Sequence, residues 1–258
     1  MKKDFPIIEF DPESNNMIIA KSNVNTSISL PEQCVITFFG DAVRSMLKEK
    51  KHVCVGSLMM ETFEIPLYIF HDENNNDVVV LHGLGSGPYA AGQIEKLVSL
   101  GCKRFVVCGG CGVLESNTTV GEIFIPIAAV RDEGTSYHYI KPSREVKMNS
   151  TVVEKMCSYL DYNNIPYRCV KTWTTDAMYR ETVNMVSLRK EEGCQVVEME
   201  CAAYLAVAQY KNVALGQLLY AGDDLSNNKW SSREWKNATS IRKFLLELAI
   251  NLCNQIHV

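Results

Sequence analysis

The chain alternates short apolar runs with stripes of helical spacing. Cys34-Val35-Ile36-Thr37-Phe38-Phe39 is β-branched and aromatic, and predicts a strand that Gly40-Asp41 breaks. Val43, Met46 and Leu47 then share one face of a short helix over residues 42–50. Residues 53–71 suit the strands of a β-hairpin, and the polar run 73–77 makes a turn. The continuous apolar run 78–81 reads as a strand buried on both faces. It leads through Gly83-Leu84-Gly85-Ser86-Gly87-Pro88 into a helix over 89–100. Beyond it come a strand at 105–107, a glycine-rich turn at Cys108-Gly109-Gly110-Cys111-Gly112, a strand at 121–130 and a helix at 151–160. A strand at 167–171 and a helix at 182–192 follow. The apolar run into Val197-Glu198-Met199-Glu200 passes to a small-residue helix, and a strand at 213–221 ends in Gly222-Asp223-Asp224. A long amphipathic helix is expected over 232–253, with Ile241, Phe244, Leu245, Leu248 and Leu252 on its packing face. Strands alternating with helices predict an α/β fold with a mostly parallel or mixed central sheet flanked by helices. In such sheets ligands gather at the carboxyl ends of strands.

Composition adds limits. The 258 residues, 47% hydrophobic and 22% charged, fit one domain over the whole chain, with residues 1–32 an N-terminal extension. A net charge of −4 argues against a nucleic-acid partner. No apolar run reaches the roughly 18 residues that span a bilayer, so no membrane partner is expected. The start, Met1-Lys2-Lys3-Asp4-Phe5-Pro6, lacks the apolar core of a secretory signal, and a cytoplasmic location is expected. Most of the 10 cysteines sit in apolar runs, where a reduced thiol acts as a small hydrophobe. Cys108 and Cys111 have the spacing of a zinc or redox half-site, but no second pair completes it. A glycine-rich turn is the plainer reading, and neither metal nor cofactor is expected.

The strand ends carry the chemistry. They offer Gly40 with Arg44, the glycines at 109–112, the segment 176–180, Glu198 with Glu200, and Asp223 with Asp224. Gly40 and Arg44 fit an anion site at a helix N-terminus, or an ordinary helix start capped by Asp41. One small-molecule pocket with an anion end and a carboxylate end unites these groups. A carboxylate can accept hydrogen bonds from two adjacent sugar hydroxyls, and a second acid can protonate a departing heterocycle.

Val197-Glu198-Met199-Glu200, the strand-end Asp223 and the run from Val130-Arg131-Asp132-Glu133-Gly134 to Thr135-Ser136-Tyr137-His138-Tyr139 resemble the nucleoside phosphorylase family. This is the group of uridine phosphorylase and the hexameric purine nucleoside phosphorylases, and the likeness covers nearly the whole chain. It implies cleavage of a ribonucleoside N-glycosidic bond by inorganic phosphate, the co-substrate, to free base and ribose 1-phosphate. It also implies a homo-oligomer, a dimer or trimer of dimers. By position, Glu200 resembles the residue that grips the ribose hydroxyls, with Met199 packed on the sugar. Asp223 resembles the acid that protonates the purine N7. Met178, Tyr179, Cys111 and Gly112 fall on the base side, as does Glu198, which also suits orienting the strand end. Gly40, Arg44 and Gly110 match the phosphate loop.

Two departures stand out. Where the family carries an Arg and a hydroxyl residue for phosphate, this chain has Val107 and Gly110, and no Arg occurs near Leu58 or Met59, where a neighbouring subunit supplies one. Arg131, Arg180 and Lys236 are candidate substitutes. Hydrolysis in the same pocket, as in related nucleosidases, and nucleoside binding with little turnover are the alternatives. The base is open as well: the 131–139 segment is closer to the uridine branch, whereas Asp223 favours a purine, and Arg180-Glu181 could read a base edge.

Overall fold

A computed structural model describes residues 2–13, 15–20, 29–60, 62–227 and 229–258. Met1, Ser14 and residues 21–28 of the expected N-terminal extension therefore lie outside the described residues. Among the described residues, ten strands form one mixed sheet with six α-helices. In chain order these are β1 (Gln33–Thr37), α1 (Gly40–Glu49), β2 (Val53–Met59), β3 (Glu64–His71), β4 (Asp77–His82), α2 (Gly87–Ser99), β5 (Arg104–Val113) and β6 (Ile123–Asp132). Then come β7 (Glu145–Lys147), α3 (Ser150–Tyr162), β8 (Arg168–Thr175), α4 (Val183–Glu191), β9 (Cys194–Glu198), α5 (Cys201–Lys211), β10 (Ala214–Asp224) and α6 (Thr239–Cys253).

Strand pairing sets where the site lies. β4, β1, β5 and β10 run parallel, and β2–β3–β4 form an antiparallel edge. β10 then pairs antiparallel with β6, β6 runs parallel to β8, β8 to β9, and β9 returns antiparallel onto β5. Five strands thus close a ring, β5–β10–β6–β8–β9, from which β1, β4, β3 and β2 continue as an open sheet. Closure removes edges along the ring. It also brings the carboxyl ends of β5 and β10 beside that of β9, because Gly112 pairs with Val197 and Ala221 with Cys111.

The central strands are apolar on both faces, and Cys34, Val35, Ile36, Val78, Val79 and Val80 are all buried. That suits a parallel sheet covered by helices on both sides. α5 is buried at every position from Cys201 to Ala208, and its small side chains let it lie against α2. Asn212, in the left-handed region at φ 52°, ends it.

Two sequence expectations change. The glycine-rich turn at 108–112 is strand: β5 runs unbroken to Val113, with β1 and β10 hydrogen-bonded on either side. The last helix starts at Thr239 rather than 232, because Arg233 and Glu234 take positive φ and a 3₁₀ turn fills Trp235–Asn237. Of the expected packing face, Leu245, Leu248 and Leu252 are buried, joined by Leu246 and Ala249, whereas Phe244 is 41% exposed.

Candidate active site

Glu198 and Glu200, given different roles in the sequence, also differ in their partners in the structure. Glu198 is buried at the end of β9, and its Oε1 accepts the Thr174 hydroxyl at 2.6 Å and the Thr172 hydroxyl at 3.3 Å from neighbouring β8. Its Oε2 accepts the backbone N–H groups of Glu200 at 2.8 Å and Cys201 at 2.6 Å. The carboxyl therefore caps α5, where unpaired N–H groups and the helix dipole favour an acceptor. Burial pushes it above its ordinary range against the pull of those donors. With both oxygens committed to the protein, Glu198 has the geometry of a positioning residue rather than a base contact.

Glu200 faces the other way. Its Oε1 accepts the Ser86 N–H at 2.7 Å, and the Met199 N–H also acts on it. Burial, and then the charge of Glu198, push this carboxyl up to about 8. Ser86 adopts φ 107°, a backbone conformation rare for a residue with a side chain, in the turn that opens α2. The strained turn thus aims a donor at the acid. Gly87 follows, where an added methyl would stand 3.0 Å from Thr135 Oγ1. Thr135 is held by Glu133, whose Oε2 accepts the N–H of Thr135 at 2.7 Å and of Ser136 at 2.9 Å. Asp176 accepts the Gly134 N–H at 2.8 Å and adds its charge to the surroundings of Glu200.

The two acids ending β10 also part. Asp224 turns back on its own loop, accepting the Ser226 N–H at 2.7 Å and bridging to Ser231. Asp223 lies over Gly112, where an added methyl would be 3.4 Å from its Oδ1. Its Oδ2 accepts the Trp230 indole N–H at 2.6 Å. Arg233 clamps this bend by donating to the carbonyls of Gly222 and Thr118. Cys111 is buried beneath, its thiol donating to the Tyr220 carbonyl at 3.3 Å, and burial raises its pKa strongly.

The opposite end is cationic. A methyl placed on Gly40, the first residue of α1, would stand 3.3 Å from Arg44 Nη1 and 3.7 Å from His82 Cε1. Arg44, His82 and the N-terminus of α1 therefore converge on one spot. Burial and the nearby Arg44 charge lower the His82 pKa, against a hydrogen bond to the Thr37 backbone. His82 ends β4 and was not singled out from the sequence; a histidine directly between an apolar strand and a glycine was the signal available. Phe38 covers the next space, its ring 2.8 Å from a methyl placed on Gly83 and 3.2 Å from one on Gly109.

The departures from the family pattern have structural counterparts. Val107 is buried in β5 between Ile36 and Gln217. A methyl on Gly110 would meet the Tyr220 ring at 3.2 Å, so that ring holds the space where a hydroxyl side chain would project. Arg131 does not replace the missing Arg. It is buried, stacked 4.2 Å over Tyr137, and spent on Ser136, Ser143 and the Lys141 carbonyl. Lys236 is exposed and lies over the Trp235 ring. Met178 is half-exposed, Arg180 exposed, and Tyr179 is 93% exposed in the 3₁₀ turn after β8, so its ring packs against no wall.

A groove of about 1100 Å³ lined by Ile7, Met17 and Ile18 of the N-terminal segment touches this cluster at Pro88, Thr135 and Asp176. The cluster itself offers a carboxyl acceptor at Glu200, a second carboxyl at Asp223 and a cationic spot at Arg44 with His82, gathered at the strand ends and the start of α1.

A family profile for the Phosphorylase superfamily matches residues 34–249. Among curated relatives, the guanosine phosphorylase of Halorubrum lacusprofundi is 26% identical over 136 residues, 53% of this chain and 56% of that protein. The chain thus spans about half the length of that relative. The fold is similar to the crystal structure of uridine phosphorylase from Vibrio fischeri, with TM-score 0.72, 14% identity, and 92% of this chain and 95% of that one covered. It is also similar to AMP nucleosidase from Bacteroides thetaiotaomicron, with TM-score 0.69, 19% identity, and coverage of 87% and 88%. With five-sixths of its length inside the matched region and the same fold throughout, the chain belongs to the Phosphorylase superfamily, the family of the nucleoside phosphorylases.

Proposed function

We propose that the protein cleaves the N-glycosidic bond of a purine ribonucleoside, with phosphate as the acceptor. The observation that carries this reading is the division of labour among the strand-end acids: Glu198 is consumed in positioning, which leaves Glu200 and Asp223 for the substrate. Glu200 accepts the 2′ and 3′ hydroxyls, with Met199 against the sugar. Asp223 acts as the general acid, delivering a proton to N7 as the C1′–N9 bond breaks and its electron pair passes into the base. A phosphate oxygen, held by Arg44, His82 and the first N–H groups of α1, forms the new bond to C1′. The products are the free purine and ribose 1-phosphate. A purine is favoured over uracil because Asp223 supplies the proton that N7 needs, and Thr182 and Asn184 stand where the family reads uracil with a Gln and an Arg. The similarity to a guanosine phosphorylase supports the same class.

Base release from a panel of purine and pyrimidine ribonucleosides, with and without phosphate, tests this. Phosphate-dependent release of purines is expected, and release of no base under either condition would sink the reading.

Water as the acceptor is the second reading. It is favoured by the buried Val107, by Tyr220 over Gly110, and by a neutral His82 that turns one ring nitrogen to the Thr37 backbone and keeps the other as an acceptor for a water proton. Equal rates of base release with and without phosphate would establish it in place of phosphorolysis.

A further inference from the structure

The spacing in the sequence singles out Cys108 and Cys111 as a redox pair, but both are buried in β5. The fold assembles a different pair. Cys157 stands on α3 and Cys169 is the second residue of β8, and their Sγ atoms lie 3.7 Å apart. That is van der Waals contact, and a disulfide needs the sulfurs only roughly 2 Å closer. Cys169 is exposed and Cys157 half-buried, so a solute can reach the first and the first can reach the second. Cys54 is also exposed, but its thiol has the Gly56 carbonyl for a partner. The other thiols are buried, including Cys34, Cys102 and Cys253, which gather in the core. Buried thiols without access to solvent are inert.

The two cysteines join different layers. α3 is seated on the ring of strands through Met156, which is buried against Gly216 of β10. Cys169 belongs to β8, on the far side of β6 from β10. A bond between Cys157 and Cys169 would tie the helix to a second strand of the ring.

We propose that Cys157 and Cys169 form a disulfide site for a low-molecular-weight disulfide oxidant, and that the bond staples α3 to β8. The exposed Cys169 thiolate attacks one sulfur of the oxidant, whose S–S bond breaks and releases a small thiolate. Cys157 then loses its proton and attacks the Cys169 sulfur of the mixed disulfide, releasing the second small thiolate. The protein loses two electrons and two protons, and the oxidant becomes two thiols. Burial, contact with Cys157 and the Asp161 charge push the Cys169 thiol up to about 11, so little thiolate is present and closure is slow. The bond lies at the amino end of β8, whereas Thr174, which holds Glu198, lies at the other end. It constrains the unfolded chain and leaves the acids of the site untouched.

The test incubates the full chain with oxidised glutathione at mildly alkaline pH, then reads intact mass and non-reducing peptide maps. The parent protein is expected to carry the 157–169 link and a glutathione on Cys54. In Cys157→Ser the second attack is impossible, and Cys169 is expected to retain a glutathione as well. A parent protein that keeps glutathione on Cys169, with no 157–169 link, overturns the site. The linked protein is expected to melt about 5–10 °C above the reduced one. Cys157→Ser treated in the same way is expected to show no such rise. A linked protein that melts with the reduced one overturns the staple.

Discussion

Glu200 serves two opposed demands. In the proposed reaction it must ionise to accept two sugar hydroxyls well, yet burial beside Glu198 holds its proton to about 8. The consequence for stability has a definite sign. An unfolded Glu loses its proton near its ordinary value, about 4.3, while the native group keeps it, so the native state binds more protons across the interval between. Stability is then fully present below that interval, falls as pH rises through it, and levels off above about 8. The melting temperature of the parent protein is expected to decline from pH 5 to pH 8, and Glu200→Gln to decline less. Parallel curves would show that the burden lies elsewhere. The same variant is expected to lose about ten- to hundredfold in kcat/KM on ribonucleosides, from one lost charge-assisted contact of about 1.5–3 kcal/mol, and far less on 3′-deoxy substrates. At this scale the positions of Glu200 and Asp223 at strand ends and of Arg44 in the first turns of α1 were legible in the sequence. It gave Glu198 and Glu200 different roles but did not name the groups that hold Glu198, because those hydroxyls belong to Thr172 and Thr174, and the pairing of β8 with β9 is a tertiary fact.

Among the elements, the junction of β9 and α5 organises the site. The chain leaves the strand, folds the Glu198 carboxyl back over the first N–H groups of the helix, and so presents Glu200 on the opposite side. Removing the cap orphans two buried N–H groups and the buried Thr174 hydroxyl, while the Thr172 hydroxyl keeps the Val196 carbonyl. Glu198→Ala is expected to lower stability by about 2–4 kcal/mol in denaturant titration. Glu200→Ala is expected to cost under half of that, and equal losses would contradict the division between positioning and binding. The misread element is β5. A cluster of glycines reads as a turn when only local preference is weighed. Here the glycines are strand residues because the Phe38 and Tyr220 rings press against the backbone, leaving no space for a side chain. The start of α6 was misplaced for a related reason: the pattern of apolar residues continues to 232, but the clamp made by Arg233 requires a backbone turn that a helix does not allow.

Over the whole molecule, the alternation of strands and helices announced an α/β sheet, but not its closure into a ring, since the β5–β9 and β5–β10 pairings join segments far apart in sequence. Such distant pairings are slow to form, because loop entropy is lost before the contacts reward it. During refolding from urea, pulse-labelled amides of β3 and β4 are therefore expected to gain protection before those of β10. Simultaneous protection would mean that the sheet condenses as one unit. The ring carries a further consequence for synthesis of the chain. On the ribosome, the strand that closes it leaves the exit tunnel after almost all the others, and Asp223 rides on its last turn of backbone. A nascent chain stalled before β10 contains Arg44, His82 and Glu200 but lacks Asp223, so under the proposed reaction base release waits for the ring to close.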